Sequence, residues 1–164
     1  MKNLLFLLAF SALATTSVAQ KIKVEGELIT VDGQPYARIE RDGCGALNAG
    51  CMYYVKSLQN ERLFIIKPLE FVDPATISAS HPDGRTLYVQ YIFTASRATT
   101  ETAYPSIMLL RALDIARKIY KAQLIKDGTL DQQAADAFVL ANGMTFSERR
   151  RELNPQFIVV PVAH

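Results

Sequence analysis

The sequence is poor in the side chains on which most small enzymes depend. Its 164 residues include no tryptophan, two cysteines and two histidines, His81 and His164. His81 precedes a proline in a turn and His164 is the last residue, so neither is well placed for a catalytic triad or a multi-histidine metal site. The phosphate-binding, dinucleotide-binding, nucleophile-elbow and zinc-protease motifs are also missing. We therefore expect no catalytic residue, no metal site and no cofactor.

An excess of one charge and long hydrophobic runs are also missing. The sequence has 18 Lys and Arg against 16 Asp and Glu, a formal net charge of +2, which does not favour a nucleic-acid partner or an anionic membrane surface. No later apolar run approaches the roughly 20 residues that a transmembrane helix needs. The hydrophobic content of 49% lies in the globular range. This length favours one domain, which we place at residues 20–164.

The N-terminus has the three parts of a secretory signal peptide. Lys2 supplies positive charge, residues 4–13 form an apolar run, and small residues end at Ala19. A buried N-terminal helix is the alternative, but it would leave the small-residue ending unexplained. We predict that residues 1–19 are removed after Ala19. A lipoprotein would need Cys at the next position, which is Gln20, so we expect a periplasmic or secreted protein without a lipid anchor or a transmembrane span.

Export changes how the two cysteines are interpreted. Cys44 and Cys51 lie close together in a glycine-rich segment, and an even pair in an oxidising compartment is most simply a disulfide. The alternatives are a redox pair or a metal site. A redox pair usually has C-x-x-C spacing, and a zinc site needs two more ligands that nothing nearby provides. We predict a structural disulfide between Cys44 and Cys51.

Residues 21–96 are typical of an antiparallel β-meander, of about five strands. Polar and apolar residues alternate in 21–25, which is the pattern of a half-buried strand. Asp32-Gly33 predicts a hairpin turn, because a type I′ turn needs positive φ at both central residues. The continuous apolar run at 63–66 predicts a strand covered on both faces, and residues 68–85 are expected to be a long connection. The predicted strands are 21–31, with a bulge near 26–29 where the alternation changes parity, then 36–41, a strand beginning at 51–55, 63–66 and 86–96.

After Pro105 the hydrophobic period changes from 2 to 3.6, which predicts helices. Asp127-Gly128 ends the first helix, capping-box patterns at 129–132 and 145–148 start a second and a short third helix, and Asn142-Gly143 ends the second. Residues 157–160 are apolar and β-branched, and form either a closing strand or a tail over the core. The predicted class is α+β, with a helical hairpin on an antiparallel sheet. The apolar stripe of the first helix comprises Leu109, Leu113, Ala116, Ile119, Tyr120 and Gln123 or Leu124.

Four tyrosines on the predicted strands are a candidate contact surface: Tyr53, Tyr54, Tyr88 and Tyr91. Adjacent residues of a strand point to opposite faces, so one of each neighbouring pair is expected near solvent or under a helix. Exposed tyrosines on a sheet can form a binding surface. Core packing with a satisfied hydroxyl is the commoner alternative.

The densest charge in the chain is the run of arginines at 149–151, which Glu148 and Glu152 flank. On a helix these acids pair with the arginines at i, i+3 and i, i+4 spacing. We therefore predict a solvated helical face, with a patch for a phosphate or an acidic partner as the alternative.

Several short segments of the sequence form a pattern that extends over most of the chain. A signal peptide ending in Ser-Val-Ala-Gln is followed at 29–40 by Ile-Thr-Val-Asp-Gly-Gln-Pro-Tyr-Ala-Arg-Ile-Glu. This start resembles that of small exported proteins of unknown function from Bacteroidetes-type bacteria. The joint at 125–130 and the segment Phe-Ser-Glu-Arg at 146–149 are similar to their C-terminal parts. The resemblance implies export and no assigned catalysis.

The sequence thus leaves two classes of function open. The missing nucleophile context and metal ligands favour a non-catalytic domain of the cell envelope that binds an unknown protein or envelope component. The alternative is a small exported hydrolase or a small-ligand carrier. A closed apolar pocket with converging Asp, Glu or His side chains would favour that alternative, whereas a flat sheet with exposed tyrosine would favour the binding domain.

Overall fold

The computed structural model describes residues 20–44, 51–104 and 110–154. The predicted signal peptide at 1–19 and the predicted closing strand or tail at 157–160 lie outside the described residues. Within those ranges, an antiparallel sheet is followed by α-helices, which confirms the α+β class. The sheet has seven strands rather than about five. The prediction of one strand with a bulge near 26–29 was wrong, because Gly26 has φ 60° and the chain turns there, so that 22–25 and 28–31 pair as two strands. A further strand, at 99–103, was not predicted. In the described part of the chain, no helix is long and apolar enough to cross a membrane.

The strands lie in the sheet in chain order, and each is antiparallel to its neighbours. They are β1 (Ile22–Glu25), β2 (Leu28–Val31), β3 (Gln34–Asp42), β4 (Met52–Lys56), β5 (Arg62–Val72), β6 (Arg85–Phe93) and β7 (Thr99–Ala103). The helices are α1 (Ala112–Lys121), α2 (Gln132–Asn142) and α3 (Thr145–Leu153). A two-stranded ribbon of β8 (Ile125–Lys126) and β9 (Thr129–Leu130) connects α1 to α2, and a short 3-10 helix follows β5 at Pro74–Thr76.

Two Asp-Gly pairs form turns between antiparallel strands. Asp32 and Gly33 have φ of 51° and 82°, and they connect β2 to β3 as the sequence predicts. Asp127 and Gly128 have φ of 51° and 77° and connect β8 to β9. The prediction that the second pair ends the first helix was therefore wrong, because α1 ends earlier, at Lys121.

Helices α1 and α2 pack on one face of the sheet, which we call the covered face. The hydrophobic core lies between them and the alternate strand residues that point to that face. On α1 the buried residues are Ile115, Ala116 and Ile119, whereas Leu113 is half-buried. Leu109 lies outside the described residues. Strand residues of this core include Ile29, Ala37, Ile39, Tyr53, Val55, Phe64, Ile66 and Tyr91.

The chain leaves the covered face at Gly143 and passes around the edge strand β7. The backbone N–H of Glu101 in β7 donates to the Gly143 carbonyl at 2.9 Å. Gly143 has φ 63° and ψ −153°, a conformation that almost only glycine adopts. Because this joint reverses the chain, α3 lies against the opposite face of the sheet, where Phe146 stacks on Tyr88.

Strand β5 differs from its prediction in two ways. Ile65 is half-exposed while Phe64 and Ile66 are fully buried, so the run at 63–66 is not covered on both faces. The strand also continues through Pro68 to Val72, where a connection was expected. Pro68 is tolerated because the odd-numbered residues of β5 make the hydrogen bonds to β6, as the Thr94 N–H donating to the Leu63 carbonyl indicates, so the N–H that proline lacks would point away from β6.

The predicted disulfide is confirmed. Cys44 follows β3, Cys51 precedes β4, and their sulfurs are bonded with the Cα atoms 4.2 Å apart. Among the described residues no cysteine is free. The bond therefore joins the end of one strand to the start of its antiparallel neighbour.

The helix starts differ from the capping-box predictions. Helix α2 begins after Asp131, whose carboxylate accepts the Ala134 N–H at 2.9 Å, and not after Thr129. Helix α3 begins at Thr145, after Met144, which makes no side-chain cap hydrogen bond. Asp131 is a favoured N-cap residue, whereas the first turn of α3 depends on a more distant acceptor that is described below.

Candidate functional site

The four tyrosines of the predicted contact surface do not come together on one exposed surface. Tyr53 and Tyr91 are each 2% exposed on the covered face, and Tyr88 is fully buried on the opposite face. Only Tyr54 keeps contact with solvent, on a half-exposed site of β4. The alternation of a strand places Tyr53 and Tyr54 on opposite faces, as expected, but the helices bury three of the four rings.

Tyr53 and Tyr91 are packed as part of the helix–sheet core. The Tyr53 hydroxyl donates to the Leu110 carbonyl just before α1, and burial raises the pKa of this phenol. Tyr91 meets the edge of Phe138 on α2, with ring centroids 5.1 Å apart. Burial raises the pKa of Tyr91 to about 12. Both phenols stay neutral at physiological pH, which suits structural positions rather than acid–base chemistry.

Tyr88 belongs to a second apolar cluster under α3. Its ring lies parallel to Phe146 at a centroid distance of 5.2 Å and meets the edge of Phe71 at 6.0 Å. Two polar contacts hold α3 over this cluster. The Glu101 carboxylate accepts the Ser147 N–H at 2.9 Å, and Arg149 binds Asp73 through two hydrogen bonds of 2.8 and 3.0 Å.

Arg149 is thus engaged rather than free for a phosphate. Besides Asp73 it donates to Glu152 at 3.2 Å, one turn along α3. The Arg149 hydrogen bonds lower the pKa of the Asp73 carboxyl. Of the predicted pairings within the helix, Arg149 with Glu152 is present, whereas Glu148 forms no ion pair among the described residues. The stronger contact of Arg149 is with Asp73, which is remote in sequence.

Helix α3 covers part of the face opposite α1 and α2, and no helix among the described residues covers the rest. We call this uncovered part the open face and define it by a row of cross-strand partners on β3 to β7. The partners in this row are Glu40, Tyr54, Ile65, Ile92 and Thr99. All five are half-exposed. Its centre, Tyr54 with Ile65 and Ile92, is an apolar strip on an otherwise polar surface.

Charged side chains surround this strip. The Arg62 guanidinium lies 4.3 Å from the centroid of the Tyr54 ring, a cation–π distance. The Tyr54 hydroxyl donates to Asp42 at 3.2 Å. Lys56 forms an ion pair with Glu40 across the strands. At one end of the strip, Tyr54 is therefore fixed by its hydrogen bond to Asp42, and the Arg62 guanidinium packs on its ring.

Two basic groups of the open face remain available to a ligand. Among the described residues, neither Arg62 nor Lys67 forms an ion pair with a carboxylate, although Arg38 pairs with Glu27 at 2.8 Å. Arg62 and Lys67 are both exposed and lie on β5, at the two sides of Ile65. Arginine and tyrosine are the residue types that most often dominate binding energy at interfaces.

The side chains that could bind a metal ion are scattered in the part of the chain that the structure describes. In the ranges that the structure describes, no group of three or more His, Cys, Asp or Glu is placed to hold a metal ion. His81 lies in the turn before β6, where its Nε2 is 2.9 Å from the Arg85 carbonyl oxygen and 3.9 Å from Asp83. This is the surface turn position that the sequence indicates.

Sequence reasoning singled out Tyr54 but missed Arg62, Ile65 and Ile92. Ile65 lies within a continuous apolar run, and the sequence around Ile92 does not show which strands lie beside it. The register between strands brings them together, and no local pattern in the sequence encodes that register. Comparison of the chain with protein-family models, curated proteins and solved structures found no match.

Proposed function

We propose that this chain is an exported, non-catalytic binding domain of the cell envelope that contacts a protein or another envelope component through its open face. The observation that supports the proposal is the strip of Tyr54, Ile65 and Ile92, which stays half-exposed on the face without α1 and α2. If the open face contacted only water, its side chains would be expected to be polar.

The strip has the composition of a small interface centre. An aromatic ring and two isoleucines provide apolar area, and paired charges around them form a polar rim. Tyr54 is held by Arg62 and Asp42, so little conformational entropy is lost when a partner covers it. A rigid aromatic residue with charged side chains around it favours binding over catalysis.

The charges indicate what the partner must supply. Arg62 and Lys67 can bind a carboxylate of a partner, because both are exposed and neither forms an ion pair among the described residues. An apolar partner side chain would cover Ile65 between them. We therefore propose a partner surface that places an apolar residue next to one or two carboxylates.

Charge reversal at Arg62 tests the proposal. The mature chain and its Arg62→Glu variant are compared for proteins or components captured from the native envelope, and binding to each captured component is then measured with purified material. We expect the variant to bind its partner about tenfold more weakly or worse, since interface arginines often contribute 2 kcal/mol or more. Tyr54→Ser should weaken the same interaction.

The matched control is Arg117→Glu, the same charge reversal at an exposed site on α1. It should bind like the wild type, and all variants should unfold at similar denaturant concentrations. Equal binding by the Arg62 and Arg117 variants would refute the open face as the binding surface. A parallel esterase, glycosidase and peptidase screen tests the enzyme alternative. Measurable turnover by the purified wild-type protein would favour that alternative.

A further inference from the structure

Two apolar groups lie on the same face of β5 and β6. One is the strip of the open face, and the other is the cluster under α3 that contains Phe71 and Tyr88. A single cross-strand row, Lys67 with Gln90, separates the two groups, because side chains of one face recur at every second residue. If α3 moved away, the two groups would form one apolar surface that only this row interrupts.

Helix α3 covers the second group through few buried side chains. Ser147 is the only residue of α3 that is buried, and the half-buried Phe146 stacks on Tyr88. The two polar contacts described above supply the rest of the attachment. A helix of this length is not stable in water by itself, so it depends on these contacts. A segment with few buried apolar contacts opens at a lower free energy than the core of its domain.

One polar group under α3 has no hydrogen-bond partner. Tyr88 is fully buried, and among the described residues no group bonds to its hydroxyl. By contrast, the hydroxyls of Tyr36 and Tyr53 each donate to a backbone carbonyl. A buried hydroxyl without a partner destabilises the state that buries it. Opening of α3 lets water reach the Tyr88 hydroxyl, so this residue favours the open state.

The connection between α2 and α3 suits a hinge. The N–H of Gly143 donates to Val139 of α2, and its carbonyl accepts the N–H of Glu101 in β7. Because these two bonds hold Gly143, rotation of the backbone at Met144, directly before α3, moves α3 alone. Hinges are commonly such positions at the ends of helices and strands.

We propose that α3 is a strap that regulates the open face by opening locally at Met144. In the closed state, α3 covers Phe71 and Tyr88. In the open state these rings join the strip, and a partner covers a larger apolar surface. This inference rests on the proposed function, since the partner is the one that binds the open face. Such a partner binds better to the open state, so its binding in turn promotes the opening of α3.

Amide hydrogen exchange of the mature chain tests the strap without any partner. The N–H groups from Arg149 to Leu153 lie within α3. We expect them to exchange about tenfold or more faster than the N–H groups of Ile119 and Tyr91 in the core. Equal rates in α3 and in the core would mean that α3 opens only when the whole domain unfolds, and they overturn the proposal.

Two substitutions should shift the opening in opposite directions. Tyr88→Phe removes the unpartnered hydroxyl and should slow the exchange of α3 about fivefold or more, because the closed state no longer buries that group. Arg149→Gln removes the contact with Asp73 and should accelerate the exchange. Tyr36→Phe is the matched control, since its hydroxyl has a partner remote from α3, and it should leave the exchange of α3 unchanged. Exchange that Tyr88→Phe does not slow overturns the strap.

Binding to the envelope component that the wild-type chain captures tests the regulation. Tyr88→Phe should bind this component more weakly and Arg149→Gln more tightly, each in proportion to the change in its α3 exchange. Loss of positive charge would weaken a contact with carboxylates, so tighter binding by Arg149→Gln is not a charge effect. Equal binding by both variants and the wild type overturns the regulation, even where Arg62→Glu supports the open face. If Arg62→Glu also binds like the wild type, the proposed function fails as well, and the exchange rates still decide whether α3 opens.

Discussion

The carboxylate of Glu101 caps a helix that begins more than forty residues later. Glu101 lies on β7, is 1% exposed, and accepts hydrogen bonds from the backbone N–H and the hydroxyl of Ser147 in the first turn of α3. Gln90, on the neighbouring strand, donates to the same carboxylate at 3.3 Å. The first N–H groups of a helix have no partner within it, and a carboxylate there also interacts favourably with the helix dipole. A buried acid thus joins the last strand of the sheet to the last helix.

Replacing Glu101 with alanine should destabilise the protein by about 1–3 kcal/mol, because the Ser147 N–H would be left buried without an acceptor. Glu101→Gln keeps one acceptor oxygen and should cost less. Urea unfolding of both variants measures the difference. Glu25→Ala, at an exposed site on β1, is the control and should change stability by about 0.5 kcal/mol or less. Equal stability of the alanine variant and the wild type would contradict the capping role.

The joint at Gly143 should tolerate no other residue well. Gly143→Asn is expected to cost about 1–3 kcal/mol, because its φ and ψ lie outside the left-handed region that asparagine can adopt. Gly128→Asn, in the Asp-Gly turn of β8 and β9, should cost clearly less, because asparagine is common in such turns. No side chain or backbone atom lies within 4 Å of a Cβ built at either site, so backbone conformation decides the comparison. Thermal unfolding of the two variants provides the measurement.

The core contact of α1 is centred on Ile119 rather than on Leu113. Ile119 is fully buried, so Ile119→Ala should destabilise the protein by about 2–5 kcal/mol. Leu113→Ala removes a half-buried side chain and should cost less. Denaturant unfolding distinguishes the two, and a larger loss for Leu113→Ala would contradict the observed orientation of the helix.

The disulfide should be fully formed and should stabilise the protein modestly. Titration of the denatured, unreduced mature chain with a thiol reagent is expected to detect no free thiol, since Cys44 and Cys51 are bonded. Reduction should lower the free energy of unfolding by about 2.5 kcal/mol, the chain-entropy value for a short loop. Recovery of two thiols per chain from native material would contradict the bond.

The contact between Asp73 and Arg149 should make stability fall in acid. Arg149 lowers the folded-state pKa of Asp73 below its unfolded value of about 3.9. This stabilisation is therefore present above the unfolded pKa and is lost as the pH falls through the folded pKa. We expect Arg149→Gln to destabilise the protein near neutral pH and to lose less stability on acidification. Arg150→Gln is the neighbouring control, and urea unfolding at several pH values is the measurement.

Local patterns in the sequence predicted the features that depend on neighbouring residues. Alternation identified most strands, Asp32-Gly33 identified its turn, and a close pair of cysteines identified the disulfide. The change of period after Pro105 correctly separated the seven-stranded sheet from the helices, although it did not predict the short ribbon of β8 and β9. Each of these signals depends only on residues a few positions apart, so the local sequence is enough to predict the structure that forms there.

Strand β7 was missed because its stability comes from residues far away. Its sequence, Thr-Thr-Glu-Thr-Ala, has no apolar alternation, yet Thr100, Glu101 and Thr102 are all buried. Thr100 donates to the Gly143 carbonyl at 3.0 Å, and Glu101 is satisfied by Ser147. Buried polar groups need such partners, and only the folded chain brings them together.

The sequence by itself determined the α+β class, the hairpin at Asp32-Gly33, the cysteine pair and the position of the large sheet before the helices, since short-range periodicity and turn chemistry encode them. Only the tertiary structure decided which tyrosine faces solvent. Tyr53 and Tyr54 are adjacent and chemically identical, and a strand always places such neighbours on opposite faces. Helices α1 and α2 pack on the face of Tyr53, so Tyr54 is the one that remains on the open face. That choice follows from burying the larger apolar surface, which is a property of the whole sheet and its helices.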